Sequence, residues 1–203
     1  MERETMGTPT TNARTATATR ILDIAERLVQ TRGFNGFSYA DVAAELAITK
    51  ASLHYHFPSK SDLGEALVTR YAERFARALT SIDAEHVHAP AKLAAYAELY
   101  AQVLRDERMC LCGMLAAEYE TVPDPIRGAV VDFLDENEAW LARVLERGRA
   151  EGSLTFSEPA AVTARSVVGG LEGAMLVARP YSAVDRFEAT AAQLLAGLVG
   201  AAV

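Results

Sequence analysis

The sequence predicts an all-α protein, and three observations carry that reading. Apolar residues recur with a period near 3.6 along most of the chain, helix-start and helix-stop residues punctuate the pattern, and no useful stretch alternates apolar and polar with period two. About nine helices fit the 203 residues. That length allows one large domain or two small ones, and the hydrophobic half of the residues is ample for a core.

Taken in order, residues 1–13 are polar and Thr-rich, and are expected to form a disordered arm. From Arg20 the pattern is helical: Ile21, Ile24, Ala25, Leu28 and Val29 share one face, and Gly33 stops the helix as a left-handed cap. Ser38, with Asp41 three residues on, has the spacing of a capping box and opens a short helix that ends near Leu46. Thr49 caps the next, over 50–56, and Pro58 ends it. Ser59 and Asp62 repeat the capping-box spacing ahead of a long helix to about residue 82. The chain breaks at 85–90, and helices follow over 91–105, 109–119 and 125–150. In the last of these Ile126, Val130, Phe133, Leu134, Leu141, Val144 and Leu145 make one stripe, and Gly152 terminates it. Helices over 159–178 and 184–201, split by Arg179-Pro180, complete the chain.

Composition removes several classes. No apolar run approaches the roughly 18–20 residues of a membrane span, the N-terminus lacks the apolar block of a signal peptide, and Cys110 and Cys112 stand too close together to staple a fold. A cytoplasmic, reduced protein with no membrane partner is expected. Charge divides unevenly. Residues 1–61 carry seven basic against six acidic side chains, whereas 62–203 carry 13 against 21, a net of −8. The head can approach phosphates; the acidic body would repel them.

A helix of about eight residues, the connection Ala47-Ile48-Thr49 and a second short helix match a helix-turn-helix. On the second helix Leu53 and Phe57 point inward with Ile48. Ala51 and Tyr55 point outward, flanked by Ser52 and His54, with Lys50 at the exposed start. A small residue at Ala51 lets the helix approach a groove closely, and its neighbours supply donors for base edges and phosphates.

The run Thr49-Lys50-Ala51-Ser52-Leu53-His54-Tyr55-His56-Phe57-Pro58-Ser59-Lys60-Ser61-Asp62-Leu63 resembles the DNA-binding region of TetR-type transcriptional regulators. Ile24-Ala25, Gly33-Phe34 and Phe37-Ser38-Tyr39-Ala40-Asp41-Val42-Ala43 match it upstream in order and spacing. The resemblance is specific over 17–65 and extends to the rest in length and helix count. It implies a three-helix DNA reader over 14–61 and a helical body over 62–203 for ligand binding and dimerisation. It implies further a homodimer on a palindromic double-stranded operator, repression lifted by a small effector, and neither catalysis nor a cofactor. Two positions depart from the family. Ala47 stands where glycine is usual, and a left-handed backbone there costs about 1 kcal/mol; His54 stands where tyrosine is common. The competing reading is a helical ligand carrier or enzyme with a vestigial head, although no G-x-S-x-G nucleophile motif or phosphate-cradling glycine loop is present.

The DNA-binding candidates are Ser38, Tyr39, Thr49, Lys50, Ala51, Ser52, His54, Tyr55, His56 and Lys60. Lys60, at a helix start, reads as a phosphate clamp or as a solvated surface lysine. Tyr39 reads as a phosphate contact, and for His56 a phosphate contact competes with a helix C-terminal cap. Arg14 and Arg20, ahead of the first helix, read either as contacts to phosphate or the minor groove or as solvated arginines. His86 and His88, without a third ligand, do not make a metal site.

In the body Tyr96, Tyr100, Met114, Tyr119, Phe133, Trp140 and Met175 are candidates to line an effector pocket, with Asn137 supplying one orienting hydrogen bond. Such a lining predicts a largely hydrophobic effector; for any one of these residues simple core filling is the alternative. Cys110 follows Arg108 at a helix start, where dipole and cation favour thiolate. The run Cys110-Leu111-Cys112-Gly113 is similar to that of TetR-like regulators with a reactive cysteine, so an electrophile sensor competes with an inert thiol. The helix over 159–178 has a small face of Ser166, Gly169, Gly170, Gly173 and Val177 beside Val168, Leu171 and Met175. With Phe187, Ala191, Leu194, Leu195 and Leu198 of the last helix it is expected to form a four-helix dimer interface, the alternative being that the small face packs only within the monomer.

Overall fold

The computed structural model describes residues 11–199. Helix α1 (Thr11–Arg32) begins well before the apolar pattern does, so 11–13 are helical rather than part of a disordered arm; the rest of that expected arm lies outside the described residues. No apolar stripe marks this first part of α1, which is why the pattern alone placed its start too late. Gly33, at φ 85°, turns the chain out of α1 in the left-handed region. Helix α2 (Tyr39–Leu46) starts at Ser38, whose N–H and hydroxyl both donate to the Asp41 carboxylate. Ala47 is left-handed, at φ 54° and ψ 40°, and leads to helix α3 (Lys50–His56), where Thr49 accepts the Ser52 N–H at 3.1 Å. Helix α4 (Lys60–Glu85) opens on the Ser59–Asp62 box. It runs unbroken from head to body, so a helix and not a linker crosses the expected boundary at residue 61.

The body continues with α5 (Ala89–Arg105), α6 (Leu111–Ala117), α7 (Asp124–Ala150) and α8 (Ala160–Ala178), then a 3-10 turn (Arg179–Tyr181) and α9 (Val184–Ala196). His86 and His88 flank the break between α4 and α5. The last helix is shorter than expected: beyond it Leu154 and Val199 form one isolated antiparallel bridge, and Thr155 N–H donates to Leu198 O at 2.8 Å. Among the described residues there is no strand.

Burial follows the helical stripes. One continuous cluster of buried apolar side chains extends from Ile21 in α1 to Ala191 in α9, and the α7 stripe lies wholly on its inner face apart from the half-buried Leu134. Residues 160–181 are long and apolar enough for a span, with a mean hydropathy of 1.3, which qualifies the expectation that no run is. Here α8 is a core helix, its Val167, Leu171 and Met175 buried.

Two expectations about the α8 face need correction. A Cβ on Gly170 would meet Leu194 Cδ2 at 2.7 Å, so Gly170 lets α9 pack closely within the chain. Val168, Leu171 and Met175, like Phe187 and Ala191, are buried in the same core. The face left open comprises Val162, Ser166, Gly169, Gly173, Leu176, Val177 and Tyr181, all exposed, and a Cβ on Gly169 or Gly173 would meet nothing within 4 Å.

The head is held to the body at the C-terminal end of α1. The Glu118 carboxylate accepts Phe34 N–H at 2.6 Å and Asn35 N–H at 3.3 Å, while Asn35 Nδ2 donates to Thr121 Oγ1 at 2.7 Å. Met109 N–H donates to Gln30 O, and the Arg179 guanidinium to Thr31 O. Higher up α1, Glu26 is buried and paired with both Arg70 and Arg74 of α4.

Candidate nucleic-acid interface

The outward face of α3 follows from the wheel read in the sequence. Leu53 is fully buried and Phe57 nearly so, which fixes the rotation of the helix. Lys50, Ala51, His54 and Tyr55 are therefore exposed, and Ser52 is half-buried. The Arg14 guanidinium lies 4.8 Å from the Tyr55 ring centre, bringing a cation from α1 to the same surface. His54 donates from Nδ1 to Pro58 O at 3.0 Å, so in its neutral form Nε2 is left as an acceptor. His56 is half-buried beside the Tyr55 ring, and burial with the Arg14 charge lowers its pKa, favouring the neutral ring.

Two candidates face elsewhere. Tyr39 is buried; its hydroxyl donates to Phe57 O at 2.9 Å and Ser59 O at 2.5 Å, and burial holds its pKa up to about 12. It fixes the exit of α3 against α2. The Lys60 ammonium donates to Phe34 O and Phe37 O and lies 4.6 and 4.3 Å from the centres of the Phe34 and Phe37 rings. Burial lowers its pKa against the opposing pull of Glu118 and Asp41. It is neither an outstretched phosphate clamp nor a solvated lysine, but ties α4 to the loop after α1. Ser38 is exposed, with its hydroxyl held by Asp41, and Thr49 is occupied as a cap.

The effector candidates of the body are largely core. Tyr96, Tyr100, Phe133, Asn137, Trp140 and Met175 are buried, Met114 is half-buried beside Arg179, and Tyr119 is exposed under Arg127. Tyr96 stacks on Trp140 at 5.6 Å and shares a 3.1 Å hydroxyl contact with Tyr100, while Phe133 lies 5.2 Å from Phe75 and 5.5 Å from Tyr71. Asn137 donates to Phe133 O at 2.7 Å and accepts from the Tyr96 hydroxyl. Trp140 borders a surface hollow of about 300 Å³. The sequence reading missed Tyr71 and Phe75, although the α4 spacing Leu67, Tyr71, Phe75 signals an inward aromatic stripe.

Cys110 caps α6 as its position predicts, but it is 2% exposed. Its sulfur meets Gly113 N–H at 3.5 Å and the Tyr71 hydroxyl at 3.6 Å, and burial together with the nearby Glu172 pushes the thiol pKa well up. The thiolate favoured by the helix start is therefore suppressed. Cys112 is fully buried, and both thiols are free.

An exposed recognition helix set by a buried two-residue anchor, on a three-helix head joined by a continuous helix to a helical body, defines a helix-turn-helix DNA-binding protein. The comparisons agree. The model of the bacterial regulatory proteins of the tetR family matches residues 21–67, and that of the tetracyclin repressor-like C-terminal domain matches 89–194. A TetR-family transcriptional regulator from Agrobacterium tumefaciens superposes with a TM-score of 0.89 at 31% identity, over 92% of this chain and 100% of that one. The reduced form of E. coli NemR superposes at 0.80 with 25% identity, over 93% and 100%. The transcriptional regulator AcuR of Cereibacter sphaeroides is 26% identical over 152 residues, 73% of this chain and 69% of that protein. The chain belongs to the TetR family of ligand-responsive, DNA-binding transcriptional regulators.

Proposed function

We propose that the protein is a homodimeric repressor that reads a palindromic operator through Lys50, Ala51, Ser52, His54 and Tyr55, with Arg14 beside them, and leaves it when a small effector binds. The observation that carries the reading is the open face of α3, a small residue at its centre and donors around it. Dimerisation is supported by the exposed stripe on α8, where Leu176 and Val177 are each 63% exposed. An effector with an apolar body is supported by Phe75, Leu99 and Val103, which line the largest cleft. The reading needs no catalysis and no cofactor, and an operator-DNA partner supports a cytoplasmic location. An electrophile sensor at Cys110 is disfavoured by the burial of that thiol.

Selection of bound fragments from genomic DNA would define the operator. Tyr55→Ala is expected to weaken operator binding tenfold or more in a fluorescence-anisotropy titration, at an unchanged thermal midpoint. A variant that melts earlier yet binds as before would assign Tyr55 to the core. Gly173→Arg is expected to turn a dimer into a monomer by light scattering, and a monomeric wild type at micromolar concentration would refute the dimer.

A further inference from the structure

The largest cleft in the described molecule, about 690 Å³, opens between α1, α4 and α5. It borders head and body at once, and none of the residues singled out for effector binding in the sequence lines it. Its charges are nearly all occupied. Asp23 and Glu26 of α1 are paired with Arg70 and Arg74 of α4, Glu98 is paired with Arg105, which stands outside the cleft, and Asp106 accepts from Gln102. Every carboxylate lining the cleft thus has a donor. The unused capacity is of the other kind: Arg108 has no carboxylate partner among the described residues, and Arg70 Nε is buried without an acceptor. Gln30, 2% exposed, has an unpartnered amide end, and either its oxygen or, with the amide turned over, its nitrogen can occupy that position. Native structures rarely leave buried polar atoms unsatisfied, and two at one cleft call for a partner.

We propose that this cleft binds a small amphipathic organic anion, its carboxylate received by Arg108 with help from Arg70 Nε and the Gln30 amide, and its hydrocarbon part laid against Phe75, Leu99 and Val103. The volume suits a ligand of that size. The proposal rests on the reading of the protein as a ligand-responsive regulator and gives that response a place. An anion among these arginines competes with Glu26 and Asp23 for them, and those two carboxylates hold α1 to α4 by ion pairs. The ligand thereby favours the state in which the head is less firmly held, and a shift of that population lowers operator affinity.

The test uses the full-length protein, titrated by calorimetry with benzoate and octanoate and, for comparison, benzamide. The expected result is saturable binding of the carboxylates, at least tenfold weaker binding of benzamide, and a matching loss of operator affinity in their presence. Arg108→Gln is expected to weaken carboxylate binding tenfold or more with its helical circular dichroism intact. Val103→Trp, which fills the wall of the cleft, should do the same by exclusion, so the test does not depend on one variant folding. Arg143→Gln, outside the cleft, should bind as the wild type does. Equal binding of benzamide overturns the choice of an anion, and carboxylate binding unaffected by Arg108→Gln and Val103→Trp overturns the site. A protein that binds operator but no carboxylate overturns the proposal and leaves the repressor reading standing. A protein that binds carboxylate but no operator overturns the repressor reading and with it the coupling, and leaves the anion site standing.

Discussion

Lys60 shows how far a residue's neighbours in sequence can mislead. A cation in the first turn of a helix opposes the helix dipole, and that makes an outward phosphate contact a natural reading. The reason it turns inward is tertiary: the loop after α1 brings the carbonyls of Phe34 and Phe37 to the start of α4. Charged hydrogen bonds of this kind contribute about 1.5–3 kcal/mol each to stability. Lys60→Met is therefore expected to lose about that much in urea denaturation, while the slope of operator affinity against salt stays as in the wild type. A slope lowered by about one, with stability unchanged, would restore the phosphate contact. Tyr39 teaches the same lesson, since nothing local foretells that Phe57 O and Ser59 O will converge on its hydroxyl. Leu53, Ala51 and Tyr55 were legible because helix periodicity alone decides which side each faces.

At the scale of elements, helix boundaries were legible wherever a cap or a breaker marks them. The Ser38–Asp41 and Ser59–Asp62 boxes and Gly33 sit where the spacing placed them. The start of α1 carries no apolar stripe, and at the end of α9 the reading ran past Gly197, which caps the helix; at both ends it erred by several residues. Gly170 was legible as a close-packing residue but not as one facing α9 of its own chain. Ala47 offers a direct measurement. It is exposed and left-handed, so a methyl group is lost from solvent while backbone strain is relieved. Ala47→Gly is expected to stabilise the protein by up to about 1 kcal/mol, reduced somewhat by the greater chain entropy of glycine. A lower melting temperature would show that the turn gains nothing from glycine.

For the molecule as a whole, the sequence pointed to a head and a body but not to how they are joined. Glu118 is 84 residues from Phe34, and no periodicity links them. The cleft was hidden for the same reason: it is lined by residues as distant as Asp23 and Arg108. Of the aromatic residues that seemed to promise a pocket, Tyr96, Tyr100, Phe133 and Trp140 are buried in the core, while Tyr119 is exposed. Glu118→Gln keeps the shape and removes the charge that receives two backbone N–H groups. It is expected to speed hydrogen exchange at Phe34 and Asn35 about tenfold, the equivalent of about 1.4 kcal/mol. Unaltered exchange at both amides would place the hold on the head elsewhere, with Met109 or Arg179.

Arg179 stands at the end of the helix that bears the exposed stripe, and its guanidinium grips a carbonyl in the last turn of α1. In a dimer built on that stripe, this hydrogen bond couples the helix beside the twofold axis to the helix leading to the DNA reader, and the two form one bracket. Two such brackets act as calipers. Each base pair added between the half-sites turns the far one by about 35° around the duplex, since B-DNA repeats in 10–10.5 base pairs. Calipers coupled in this way resist that rotation, so an operator read by such a dimer is expected to keep its two halves in phase and not merely at the right distance.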